Sequence, residues 1–262
     1  PSTFRQRGHA TIVLKCDYGS SADDHEKYWG SGAPQLQFLV RGMKVYDPLD
    51  AAQSISDPAT WQWSDNASLC IAHYLTYAKG CGRSWDDIDQ VALAEAARAD
   101  NESVTLAAGG VEARYTINGV VDLSSDPFET VQNMLTANLG RLVWREGVYS
   151  LRSGVPRSAV WTLNDDSARG DASVRMHRDR AGLINIVRTV FVAPEREYQT
   201  AEGPVLRNAT YITADGEEHE MTLTLPFTAS HTMAQRIGKA VMERSRLGKQ
   251  VTRSESIDAI RL

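Results

Sequence analysis

Residues 126–152 read DPFETVQNMLTANLGRLVWREGVYSLR, and the fold turns on the change of period inside this stretch. Asp126 is a good N-cap, Pro127 suits the first helical position, and Glu129 stands at capping-box spacing. Phe128, Val131, Met134, Leu135 and Leu139 recur as a helical apolar stripe, and Gly140 is the expected stop. The period then becomes two. Arg141 to Arg145, the turn Glu146-Gly147 and Val148 to Arg152 predict a hairpin.

On the C-terminal side, Val160 to Leu163, Ala172 to His177 and Leu183 to Val192 read as strands, the last so rich in Ile, Val and Phe that burial is expected. Ala193 to Val205 reads as a loop. Ala209 to Thr213 and His219 to Leu225 flank Asp215-Gly216, a hairpin signal. A further helix spans Ser230 to Leu247, with Met233, Ile237, Ala240, Val241 and Arg244 on one side, and residues 250–262 alternate like the start of a strand.

On the N-terminal side, Ala10 to Cys16 and Gln35 to Tyr46 read as strands, separated by loop chemistry from Asp17 to Gly32. Asp65 or Asn66 caps a helix carrying Leu69, Ala72, Leu75 and Ala78, ended by Gly80 and Gly82. A second helix is expected from Ser84, with Ile88, Val91, Leu93, Ala94 and Ala97 as its apolar surface. Val104 to Gly110 is expected to be weakly ordered, and Ala113 to Val121 to be a strand interrupted at Asn118-Gly119. Single helices separated by groups of strands predict an α+β architecture. Three segments follow: a β-rich part at 1–48, a helix-containing insertion at 49–122 and an α+β part at 123–262.

The chain has 262 residues and a formal net charge of -5, so wide electrostatic binding of a nucleic-acid backbone is not expected. Pro1 at the start is expected of a processed chain or of a piece of a longer one, and no signal-like or membrane-spanning segment is seen. Cys16, Cys70 and Cys81 are too few for a disulfide framework, and Cys70 and Cys81 pair only if the fold brings them together.

The search for chemistry leaves few candidates. None of His9, His25, His73, His177, His219 and His231 stands four residues from another on one helix face or near a cysteine. Asp23, Asp24, His25 and Glu26 form a metal site only if a turn converges them; a solvated loop is the simpler reading. Asp86, Asp87 and Asp89 are explained by a helix start, and Asp165-Asp166 by a turn, although each set offers carboxylates to a glycoside hydrolase. Trp61, Trp63 and Trp85 suit either a core, an interface or a sugar platform. Between Ser230 and Arg253 the six cations Arg236, Lys239, Arg244, Arg246, Lys249 and Arg253 face one Glu243. They read as a contact for nucleic acid or an acidic partner, or as a solvated helix face. No catalytic, cofactor-binding or metal residue is assigned, and the binding residues are left unknown.

Several phrases carry a resemblance in order along the chain. The run Val40-Arg41-Gly42-Met43-Lys44-Val45-Tyr46-Asp47-Pro48 resembles the "x-G-x-K-V-Y-D-P" segment of the phage tail-tip attachment proteins of the protein J family. Trp63-Ser64-Asp65-Asn66, Tyr74-Leu75-Thr76, Arg114-Tyr115-Thr116-Ile117-Asn118-Gly119, the Gly140 to Trp144 hairpin start, Asn185 to Phe191, Pro226-Phe227-Thr228 and Ala234-Gln235-Arg236 are similar to later phrases of that family. Ala67 and Ile117 stand where proline and cysteine are common, and Asp50 to Trp61 has no counterpart. The resemblance implies the central portion of a non-enzymatic tail-tip hub, with β-barrel-like domains and inserted helices similar to phage baseplate hubs. It implies a homotrimer in the virion, assembled in the host cytoplasm, that joins the distal tail protein and tape-measure components to the host-contacting tip. It further implies that DNA passes through without specific binding, and that the receptor is met by parts outside this chain. No cofactor is implied. A carbohydrate-binding module, or a cell-wall glycoside hydrolase, is the alternative.

Overall fold

The computed structural model describes residues 11–17, 19, 21–30, 32, 36, 38–158, 168–175, 182–248 and 250–255. The chain divides into two units, Pro1–Arg41 and Gly42–Leu262.

In the first unit the expected loop contains a helix, α1 (Ala22–Trp29). Ser21 caps it by accepting from the Asp24 amide at 3.1 Å, and Asp23 and Asp24 sit in the first turn, where the helix end favours negative charge. Trp29 Nε1 donates to the Asp17 carbonyl at 3.0 Å. The strand expected at Ala10 to Cys16 does not form over residues 11–16, and Ala10 lies outside the described residues. A short apolar run becomes a strand only when an edge accepts it.

In the second unit, among the described residues of the long strand expected from Gln35 to Tyr46, only β1 (Lys44–Val45) forms, and it pairs antiparallel with β2 (Gln62–Trp63). Helix α2 (Ala67–Thr76) is capped by Asn66, which accepts from the Leu69 amide, and it buries Leu69, Ala72 and Leu75 as expected. It ends at Thr76, ahead of the glycines. Ser84 caps only a 3-10 turn, Trp85–Asp87. The helix proper, α3 (Gln90–Asp100), starts from Asp89 and buries Ala92, Leu93, Ala96 and Ala97, leaving Val91 exposed. Residues read as weakly ordered form β3 (Ser103–Thr105), paired with β4 (Val111–Ala113). Beyond Ala113 the expected strand reduces to a bridge between Thr116 and Asn66.

Helix α4 (Pro127–Leu135) begins as the sequence predicts. Asp126 accepts from the Glu129 amide at 2.9 Å, and Val131, Met134 and Leu135 are buried, but Phe128 is exposed. The chain then leaves through a 3-10 turn and a left-handed Leu139 (φ 51°). The hairpin of β5 (Arg141–Arg145) and β6 (Val148–Arg152) pairs Arg145 with Val148. Glu146 and Gly147 both have positive φ, the conformation that matches the twist of a two-residue hairpin.

Val160 to Leu163 lies outside the described residues. β7 (Ser173–Arg175) represents the next expected strand, and β8 (Ile186–Ala193) the buried one. The segment read as a loop after it supplies β9 (Gln199–Glu202), which pairs back on β8. β10 (Leu206–Arg207) pairs with the start of β8. The Asp215-Gly216 hairpin is replaced by helix α5 (Ala209–Asp215), capped by Asn208 and stopped by Gly216 at φ 78°. A glycine with positive φ ends a helix as readily as it turns a hairpin, and Asn208 decides for the helix. After α5, β11 (Glu220–Leu225) runs parallel to β8. Helix α6 (His231–Ser245) is capped by Ser230 and lays Met233, Ala234, Ile237, Gly238 and Met242 inward. β12 (Gln250–Thr252) pairs with β7.

One hydrophobic cluster joins Leu69 and Leu75 of α2, Leu93 of α3, Val131 and Met134 of α4, Leu151 of β6, Phe191 of β8, Leu225 of β11 and Ile237 of α6. Residues on both sides of position 122 therefore share one core. The sheets are small, and none closes into a barrel among the described residues. Among those residues no helix is long and apolar enough to cross a membrane.

Candidate functional site

The tryptophans divide between core and surface. Trp61 is 8% exposed, and its Nε1 donates to the Ser54 carbonyl at 2.8 Å. Its ring meets Trp85 at 5.8 Å, Tyr46 at 6.3 Å and His73 at 5.9 Å, mostly edge to face. Trp85 in turn meets Tyr46 at 5.5 Å. These contacts spend the ring faces on one another, whereas a sugar platform needs them open to solvent. Trp63, 40% exposed on β2, remains at the surface. His73 stacks on Tyr77 at 5.8 Å, and both its ring nitrogens are buried without a partner, so burial pushes its pKa down.

Asp86 and Asp87 lie in the 3-10 turn Trp85–Asp87, and Asp89 caps α3. Asp87 accepts from the Ser84 amide at 3.1 Å and Asp86 from the Ser84 hydroxyl at 3.3 Å. Partial burial works against ionisation of Asp89. The Ala92 amide and the Ser150 hydroxyl, both at 3.0 Å, with Arg145 and Arg152 nearby, outweigh it and hold Asp89 below the usual carboxylate range. Asp165 and Asp166 lie outside the described residues. Asp23 and Asp24 stand on α1 with His25 and Glu26, and among the described residues no three His, Cys, Asp or Glu are grouped to hold a metal ion. Cys16, Cys70 and Cys81 are free thiols. Burial, with Asp65 and Asp100 nearby, pushes Cys70 up to about 12, so it is a protonated packing residue at neutral pH.

The most elaborate polar cluster escaped the sequence reading. Asp100, fully buried at the end of α3, accepts from the Ser68 amide (2.9 Å), the Ser68 hydroxyl (2.5 Å), Asn138 Nδ2 (3.2 Å) and the Ser153 hydroxyl (2.5 Å). Asn66 Nδ2 adds bonds to the Ala97 carbonyl and Asn101 Oδ1, both at 2.9 Å. Burial pushes the Asp100 carboxyl up, against the pull of these donors. With no exposed face it is a structural tie that joins α2 and α3 to the 3-10 turn after α4 and to Ser153 just past β6, and nothing in local spacing signals it.

The basic helix is largely occupied by the molecule itself. Arg236 donates to Glu112 at 2.6 Å and to the Arg114 carbonyl at 2.9 Å, and Glu112 also accepts from Ser230 and Thr232. Arg246 forms a two-pronged pair with Asp215 at 2.6 and 2.5 Å and lies over the Tyr211 ring. Arg244 donates to the Gly154 carbonyl at 3.2 Å, Arg253 pairs with Glu255, and Lys239 stands 3.8 Å from Glu243. Lys249 lies outside the described residues. The cations that looked like a contact surface therefore serve mainly as braces between α6 and the rest of the second unit.

What the surface offers instead is apolar. Val120 is 94% exposed and Phe128 71%, with Leu123, Val111, Trp144 and Leu247 also open. A groove of 450 Å³ runs between β3, β10 and α6. A mixed helix-and-sheet protein with its polar clusters committed to internal ties and large apolar side chains outside has the features of an assembling subunit. Residues 127–261, just over half of the chain, match the family model described as "Putative phage tail protein", and the chain belongs to that family. It is a structural component of a phage tail, and so of the virion. A search of curated proteins returns no match.

Proposed function

We propose that the chain forms the hub of a phage tail tip. In this reading three copies join the distal tail protein and tape-measure components to the host-attachment tip, without enzymatic activity. They enclose or gate the channel through which the genome leaves. Assembly takes place in the host cytoplasm. The β-barrel-like hub architecture belongs to the same proposal.

The observation that carries it is the family match over residues 127–261, in the same region where the Gly140 to Trp144, Asn185 to Phe191 and Ala234 to Arg236 phrases resemble the tail-tip proteins. The electrostatics support passage of DNA without retention. The net charge is -5, and Arg236 and Arg246 are neutralised by Glu112 and Asp215. Gold-labelled antibodies against the chain, applied to intact particles, test the reading. Label confined to the tail tip is expected, and label along the tail tube or at the head-proximal end overturns it.

A further inference from the structure

Two surfaces of the second unit match each other in chemistry. The first is the segment 119–129, which carries Asp122, Asp126 and Glu129 and no Lys or Arg. Val120, Leu123 and Phe128 are exposed along it. The segment is firmly based. The Asn118 amide donates to the Phe227 carbonyl at 2.9 Å, Gly119 lies against the Phe227 ring, and Val121 packs on the core. Asp122 holds a turn by accepting from the Ser124 amide and hydroxyl, and Asp126 caps α4. A projection already ordered in this way loses little entropy on binding.

The second surface is the groove between β3, β10 and α6. Arg207, Arg236 and Lys239 line it with Leu106, Leu206 and Met242, and no carboxylate is among its lining residues. The partners of Arg207 and Lys239, Glu218 and Glu243, lie outside the lining, and these exposed pairs hold weakly enough to be exchanged.

We propose that the acidic, apolar segment 119–129 of one copy docks into the basic, apolar α6 groove of a second copy, head to tail. The proposal rests on the reading of the chain as a self-assembling hub. Asp122 and Glu129 meet Arg207 and Lys239, and three exposed apolar side chains meet an apolar floor, so apolar burial and charge complementarity act at one contact. Because the two surfaces differ, a single contact leaves one copy with its groove unused and the other with its projection unused, and the series ends only when a ring closes.

The test uses the full 262-residue chain and charge reversal on each side separately. The projection variant carries Asp122→Lys and Glu129→Lys. The groove variant carries Arg207→Glu and Lys239→Glu. Asp126 and Arg236 are left in place because they cap α4 and hold Glu112. Circular dichroism and melting curves establish that each variant folds. Light scattering after size exclusion is then read at about 100 µM, a range in which standard-size interfaces associate.

The wild type is expected to associate, and each variant alone to be monomeric. An equimolar mixture of the two variants is expected to associate again, since the unaltered projection meets the unaltered groove and the reversed projection meets the reversed groove. A chain with all four reversals is expected to regain the wild-type mass. Phe128→Ser, which removes exposed apolar surface without touching a charge, is expected to weaken association as well. A wild type that stays monomeric overturns the proposal. So does an oligomer that persists in both charge variants, and in that case the tip-labelling experiment still decides the hub reading on its own.

Discussion

The Ser153 hydroxyl donates to Asp100 Oδ1 at 2.5 Å, both residues buried and 53 positions apart in the chain. Through this contact the strand leaving the hairpin is tied to the end of α3. The other Asp100 oxygen accepts from Ser68 at the start of α2 and from Asn138 beyond α4, so one carboxylate sets four chain segments at once. Replacing Asp100 by Ala leaves these donors buried without an acceptor. A loss of at least about 3 kcal/mol is expected, since each orphaned buried donor costs on the order of 1–3 kcal/mol. Urea unfolding at neutral pH measures it. A loss near zero means that the cluster admits water and is not the tie described.

His73 predicts how stability falls with acid. Its pKa is lowered in the folded state, because charging it would put an imidazolium among rings with no partner for either nitrogen. The unfolded chain takes the proton first, near the ordinary value of about 6.5. The contribution of neutral His73 is therefore whole above that pH and is lost as the pH falls below it, by at most about 1.4 kcal/mol per pH unit. His73→Phe keeps an aromatic ring between Trp61 and Tyr77 and removes the titration. Unfolding curves at several pH values between neutral and mildly acid are expected to show a flatter profile for the variant. Equal slopes would mean that His73 finds a partner on protonation.

A second pH effect lies in a lower window. Asp215 is held at about 2, first by the two hydrogen bonds from Arg246 and then by Asn185. A depressed carboxyl stabilises the fold above its ordinary range near 4, and that contribution disappears as the pH falls toward 2. Asp215→Asn is expected to lower the melting temperature at neutral pH and to match the wild type at the acid end. A constant difference across the range would point to lost packing between α5 and α6 in place of the charge pair.

Gly238 lets α6 lie close against the sheet. A Cβ there would stand 2.8 Å from Leu206 Cδ1, 3.0 Å from Thr189 Cγ2 and 3.3 Å from Val187 Cγ1. Helix propensity favours alanine over glycine at such a position by roughly 1 kcal/mol, but a branched side chain has to displace β8 and β10. Gly238→Val is expected to destabilise by about 1–3 kcal/mol, the usual cost of overpacking. Thermal unfolding reads it, and a variant as stable as the wild type would show that α6 can lift without loss.

Much of the second unit is legible in short windows of sequence. The caps Asn66, Asp126 and Ser230 each act on an amide within three residues, and Glu146-Gly147 turns the hairpin on its own, so these signals need nothing distant. Where a residue type suits two local structures, the same reading fails. Asp215-Gly216 fits a hairpin turn and a helix end equally, and Ser21 with Asp23 and Asp24 fits a loop and a helix start. The tryptophan question could not be answered from spacing either. Trp61 and Trp85 lie 24 positions apart, and only the packing of Tyr46 and His73 around them makes them core.

By itself, then, the sequence determined the helices with strong caps, the hairpin at 141–152, the buried strand at 186–193 and the acidic balance of the chain. These depend on backbone chemistry and side-chain period within a few residues. The tertiary structure alone decided that β11 runs parallel to β8, that Asp100 unites four segments and that Glu112 and Asp215 occupy the arginines of α6. Each of these relationships joins residues about thirty or more positions apart. A strand edge, a buried donor or an unpaired cation carries no mark of which distant partner will complete it.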